Sequence, residues 1–91
     1  MSDAAYEIAI THEGLPHLNR LPEAVRAAAV ELITGPLAEN PARLGKPLVG
    51  ELAGLYSARR GDYRVIYEFD DRRRAVTVHR VVHRRAAYRR R

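Results

Sequence analysis

The stretch Tyr56-Ser-Ala-Arg-Arg-Gly-Asp-Tyr-Arg-Val-Ile-Tyr67 decides the fold of this chain. Gly61-Asp62 is a tight-turn pair flanked by two alternating runs, the signature of an antiparallel hairpin. Period two assigns Tyr63, Val65, Tyr67 and Phe69 to one face of a strand over 63–70, and Arg64, Ile66 and Glu68 to the other. The first set is bulky and mostly apolar, so it faces a core, and Arg64 points from the opposite, open face. The preceding strand covers about 55–60, and Asp70-Asp71-Arg72 turns into a third strand over 74–83. Short turns between such runs make a three-stranded meander. Two registers stay open. In the last strand Arg80 falls among Val76, Val78 and Val82, a conflict that a bulge near the strand end would resolve. In the first, Leu55, Ser57 and Arg59 alternate with Tyr56, Ala58 and Arg60 without a clear core set.

Upstream, residues 5–11 alternate as a strand with Tyr6, Ile8 and Ile10 on one face. Thr11 caps a short helix over roughly 13–20, with Leu15 and Leu18 three apart and Pro16 in its first turn, where a missing N–H costs little. Pro22 takes the first position of a second helix whose stripe is Val25, Ala28, Ala29, Leu32 and Ile33. Gly35-Pro36 ends or kinks that helix near residue 34. Residues 35–54 are loop-rich, with Leu37, Leu44, Leu48 and Leu52 tacking them to the core. A strand, a helical hairpin and a meander make an α+β domain, with the helices on one face of one antiparallel sheet.

Ninety-one residues make one small domain, residues 1–91, burying roughly 60–65% of its unfolded surface. The chain has no cysteine, which excludes disulfides and thiolate metal sites, and its four histidines lack zinc-ligand spacing, so no metal or other cofactor is expected. No apolar run approaches the ~18 residues of a membrane span, and no signal peptide is visible, so a cytoplasmic protein is expected. The charge is lopsided. Residues 1–55 hold four basic and seven acidic groups, a net of −3, whereas residues 56–91 hold twelve arginines and four acids, a net of +8. A field concentrated on one half of a chain steers polyanions, and arginine grips phosphate with a planar fork. An ion pair between Arg64 and Glu68, four residues along on the same face, is the structural alternative.

The element order is familiar together with Leu44-Gly-Lys-Pro-Leu48, Gly54-Leu-Tyr-Ser-Ala-Arg-Arg-Gly-Asp-Tyr-Arg-Val-Ile-Tyr67 and Val82-His-Arg-Arg-Ala-Ala-Tyr88. It resembles the RelE/ParE superfamily of bacterial toxins, on its RelE branch. The resemblance implies a toxin of a type II toxin–antitoxin system: a metal-independent endoribonuclease that cleaves mRNA in the ribosomal A site and halts translation. It implies as partners the ribosome, mRNA and a RelB-like antitoxin held in a hetero-oligomer. Two alternatives are a ParE-like DNA gyrase inhibitor and a non-catalytic RNA-binding module. By the same resemblance the strand arginine is Arg64, the arginine after the last strand is Arg84 and the C-terminal tyrosine is Tyr88. Arg59, with Arg60 beside it, stands nearest the family's basic residues on the earlier strand. Lysines are expected there, but Ser57 and Arg59 occupy the positions. An arginine practically cannot give up its proton, so the general base is unassigned.

Metal-free cleavage uses the substrate's own 2′-OH against the adjacent phosphorus. It needs a group to take that proton, cations for the extra phosphorane charge and a donor for the leaving 5′-oxygen. Arg64 and Arg84 suit the phosphorane. Tyr88 can orient the 2′-OH or take its proton, and His83 competes for the acid or base role. Arg85, Arg89 and Arg90 follow RNA phosphates without sequence preference.

Overall fold

The computed structural model describes residues 5–83. The elements are β1 (Glu7–Ile10), α1 (Gly14–Asn19), α2 (Glu23–Leu32), a π-helical turn (Ile33–Leu37), α3 (Pro41–Leu44), β2 (Lys46–Pro47), a 3-10 turn (Gly50–Leu52), β3 (Tyr56–Arg60), β4 (Tyr63–Asp70) and β5 (Ala75–His83). The strands form one sheet in the order β1-β5-β4-β3-β2. β3, β4 and β5 are the expected antiparallel meander. The remaining pairings came from outside the meander: β1 runs parallel to β5, and the two-residue β2 extends the loop-rich segment as an antiparallel edge on β3.

The core lies between the helices and one face of the sheet. Leu18, Ala29, Leu32, Ile33 and Leu37 meet Ala58, Val65, Tyr67, Val76, Val78 and Val81, all buried. Each fully buried Leu, Ile or Val side chain among them contributes about 1.5–3 kcal/mol. Leu15, expected beside Leu18, is instead exposed, because six residues of α1 turn only one narrow face to β5. The cap of α1 is Glu13, two residues later than expected, but the Thr11 Oγ1 still accepts the Gly14 N–H at 2.9 Å. Pro22 sits one residue earlier than expected, at the cap of α2, with the extended ψ of 150°. Gly35-Pro36 does not stop the helix either. The chain passes through Pro36 in a π turn and stays helical to residue 39. The wider i→i+5 turn tolerates a residue that has no N–H, and the Thr34 hydroxyl donates back to the Val30 carbonyl at 2.8 Å.

Three devices lock the layers. First, β5 carries an extra residue against β4. Ile66 faces Arg80 and Tyr67 faces Val78, so His79 is bulged out. Beyond the bulge the register inverts, which puts both Val78 and Val81 inward and Arg80 outward. Second, α1 presses on that bulge. A Cβ on Gly14 would stand 2.8 Å from the His79 carbonyl oxygen. Third, the buried Tyr67 hydroxyl donates to the Pro41 carbonyl at 2.6 Å, and Gly45 packs directly over it. At the other end of the sheet the Tyr6 hydroxyl donates to Asp71, and the Arg74 guanidinium lies 4.4 Å over the Tyr6 ring.

Two outcomes test this packing. Gly→Ala in a helix normally gains about 1 kcal/mol, but Gly14→Ala is expected to lose about 1–3 kcal/mol in urea unfolding, because the methyl meets backbone. Tyr67→Phe strands the Pro41 carbonyl and is expected to cost about 1–3 kcal/mol at neutral pH. Burial also pushes the Tyr67 hydroxyl up to about 12, with the Gly45 backbone pulling the other way. The folded state therefore holds this proton more tightly than the unfolded chain does. Its contribution is complete below about pH 10 and is lost as the pH rises toward about 12. Across that window the Tyr67→Phe protein should lose less stability than the wild type.

Candidate RNA interface

Strand register sorts the sheet face that the helices leave open. Lys46, Ser57, Ile66 and Arg80 occupy one cross-strand row running over β2, β3, β4 and β5. Two residues along, Arg59 and Arg64 are direct partners, and Val82 continues that row on β5. Neighbouring strands lie about 4.8 Å apart and alternate residues about 7 Å apart. Four long cationic side chains thus rise from a small patch of one face. Its floor is closed: Ile66 is 2% exposed and Ser57 7%. Arg59 opposite Arg64 sets like charges side by side, a placement that costs stability in a sheet and that a bound anion relieves.

Glu68 lies on the same face, but its partner is His79, with Oε2 and Nε2 3.0 Å apart. The bulge that turns Arg80 outward also brings His79 to Glu68.

The expected site residues divide. Arg59 and Arg64 are brought together on the open face. Arg60, next to Arg59, points to the helix side, where its guanidinium lies 3.7 Å from Glu31 of α2. That pair is exposed and contributes little. His83 also falls on the helix side. It is in register with Tyr63, and the two rings meet edge to face at 5.5 Å. Strand alternation therefore separates Arg60 and His83 from Arg64. Arg84, Arg85, Tyr88, Arg89 and Arg90 lie outside the described residues.

Two members of the face were missed from the sequence. Arg80 could be placed only by the bulge. Lys46 had one signal: the residue before a proline is biased to extended backbone, and Pro47 follows it. On the helix side a groove of about 310 Å³ runs between α2 and the sheet, lined by Ala24, Val25, Ala28, Tyr63 and Val81, with Arg60 and Asp62 at its rim. Its lining suits apolar side chains, whereas the open face suits phosphate. Among the described residues no group of three or more His, Asp or Glu side chains is placed to share a metal ion. No helix among them is long and apolar enough to cross a membrane.

Residues 8–88 match the family described as the ParE toxin of the type II toxin–antitoxin system parDE. Toxin RelE of Mycobacterium tuberculosis is 52% identical over 87 residues, covering 96% of this chain and 90% of that protein. Toxin RelG of the same organism is 46% identical over 85 residues, covering 93% and 98%. The crystal structure of a RelBE toxin–antitoxin complex from M. tuberculosis superposes with a TM-score of 0.85 at 43% identity, covering 91% of this chain and 95% of that one. This arginine-faced α+β sheet is built on the same plan, and the chain belongs to the RelE/ParE superfamily of type II toxin–antitoxin toxins, with a RelE-like sequence and fold.

Proposed function

We propose that the protein is a ribosome-dependent endoribonuclease that cuts mRNA in the A site, using the open face of its sheet. The observation that carries this reading is the apposition of Arg59 and Arg64 on a rigid, closed floor, with Lys46 and Arg80 flanking them. Preorganised cations on strands stabilise charge that develops in a transition state without moving to meet it. In the cleavage step the substrate's 2′-oxygen forms a bond to phosphorus and the P–O5′ bond breaks. The 2′-OH gives up its proton, and the 5′-oxygen gains one. Arg64 and Arg59 hold the non-bridging oxygens through the phosphorane. The family resemblance assigns Arg84 to the same charge, and Tyr88 to the 2′-OH as orienting group or base. Since His83 and Arg60 face the helices, this reading leaves them out of the reacting group.

The same reading gives the protein a RelB-like antitoxin, because the superposed M. tuberculosis structure is of a toxin–antitoxin complex. It acts in the cytoplasm, where ribosomes translate. The matching family carries the ParE description, which favours a second reading, inhibition of DNA gyrase.

One assay separates the two. In a translating extract, primer extension should reveal codon-phased mRNA breaks with the wild type. Arg64→Ala should reduce the cleavage rate about 100-fold or more and Arg59→Ala about tenfold or more. Arg60→Ala, on the helix side, should stay within about twofold of wild type. Intact mRNA beside accumulating gyrase–DNA breaks would transfer the assignment to the second reading. Equal loss in Arg60→Ala and Arg64→Ala would contradict the choice of face.

A further inference from the structure

We propose that Lys46, on the edge strand β2, is an RNA-binding cation of this site. In this role its ammonium group contacts a non-bridging phosphate oxygen of the mRNA beside those held by Arg59 and Arg64. The proposal rests on the endoribonuclease reading and adds a residue to it.

Lys46 is the only lysine in a chain whose other basic groups of this kind are fifteen arginines. Register sets it directly opposite Ser57 on the open face, at the β2 end of the row whose β5 end is Arg80. Ser57 is one of the two positions where the superfamily resemblance leads one to expect a lysine. Cross-strand partners have Cβ atoms about 5 Å apart, so a long side chain from β2 covers the ground in front of the Ser57 hydroxyl. The cation absent at Ser57 is thereby delivered by the neighbouring strand.

The backbone at Lys46 is fixed from both sides. On one side Gly45 lies so close to the sheet that a Cβ there would stand 2.9 Å from the Ser57 carbonyl oxygen and would overlap the Tyr67 hydroxyl. On the other, Pro47 pairs with Tyr56, and the Leu48 N–H donates to the Leu55 carbonyl at 2.8 Å. Pro on an edge strand costs no ladder bond and closes the edge to further pairing. A strand of only two residues that is anchored this firmly contributes little sheet. What it does is hold one cationic side chain at the margin of the arginine face. Lys46 itself is exposed, as a phosphate-binding group must be. An ammonium group acts on phosphate as a point charge, so its role here depends on charge rather than on a bidentate fork.

The test is single-turnover cleavage of mRNA in the A site of purified ribosomes, repeated over a range of KCl, with wild type, Arg64→Ala, Lys46→Ala and Lys46→Arg. Lys46→Ala should slow cleavage about tenfold or more and lower the slope of log affinity against log salt by about 0.7, one phosphate contact to a single strand. Lys46→Arg should restore both to within about threefold, because charge is kept. Thermal midpoints should be unchanged, since the substitutions leave the backbone ladder intact. Wild-type rate and salt slope in Lys46→Ala, with Arg64→Ala inactive, would overturn the role of Lys46 alone. A Lys46→Arg protein as slow as Lys46→Ala would also overturn it. Intact mRNA with the wild type would overturn the endoribonuclease reading itself.

Discussion

β5 has one residue more than β4 across their shared ladder, and the placement of Arg80 and His79 follows from it. Ile66 faces Arg80 and Tyr67 faces Val78, with His79 left between them. In a regular strand Arg80 would share the inward face with Val76 and Val78. An uncompensated buried guanidinium costs several kcal/mol, far more than a disrupted ladder pair. The bulge lets Val76, Val78 and Val81 all stay in the core, where each is at most 2% exposed. It also sends Arg80 to the open face. The device is braced by α1: the Thr11 N–H donates to the Val78 carbonyl at 2.9 Å, and Gly14 brings the start of the helix against the His79 carbonyl.

The two faces of the sheet are coupled through β4. Tyr67 points into the core and its hydroxyl reaches the Pro41 carbonyl. That bond holds α3 and the Gly45 turn against the sheet, and Gly45 in turn sets the course of β2. A buried tyrosine on one side of the strand therefore fixes the position of Lys46 at the margin of the other side. Tyr56 stacks on Tyr67 at 5.8 Å and lies 4.9 Å from Phe69, so the anchor is part of an aromatic layer and does not hang on one hydrogen bond. The rigidity under the proposed phosphate-binding face comes from that layer.

Much of this was legible in the residues. Gly61-Asp62 and the alternation of 63–70 placed β4 to the residue and β3 to within one, and the inward set Tyr63, Val65, Tyr67 and Phe69 put Arg64 outside. Of the candidate face, local alternation placed Arg64, whereas Arg59, on a strand without a clear core set, was named by the family resemblance. The two become partners through the register of one hairpin, which a tight turn fixes. Arg60 and His83 look like neighbours of the site along the chain but occupy the other face, because adjacent strand residues point to opposite sides. Arg80 required a bulge that alternation can suggest but not locate. Lys46 required a pairing between a loop-rich segment and β3 that no periodicity over two residues can reveal. The π turn at Pro36 escaped notice because proline usually ends a helix, and here a widened turn removes the conflict.

The central claim is that mRNA lies on the sheet face opposite the helices. A structure of the Arg64→Ala protein bound to a ribosome with intact mRNA in the A site tests it most directly. The account predicts mRNA phosphates against Arg59, Arg80 and Lys46, with α1 and α2 turned away from the message. Phosphates seated instead in the groove between α2 and the sheet, beside Arg60 and Tyr63, would contradict it.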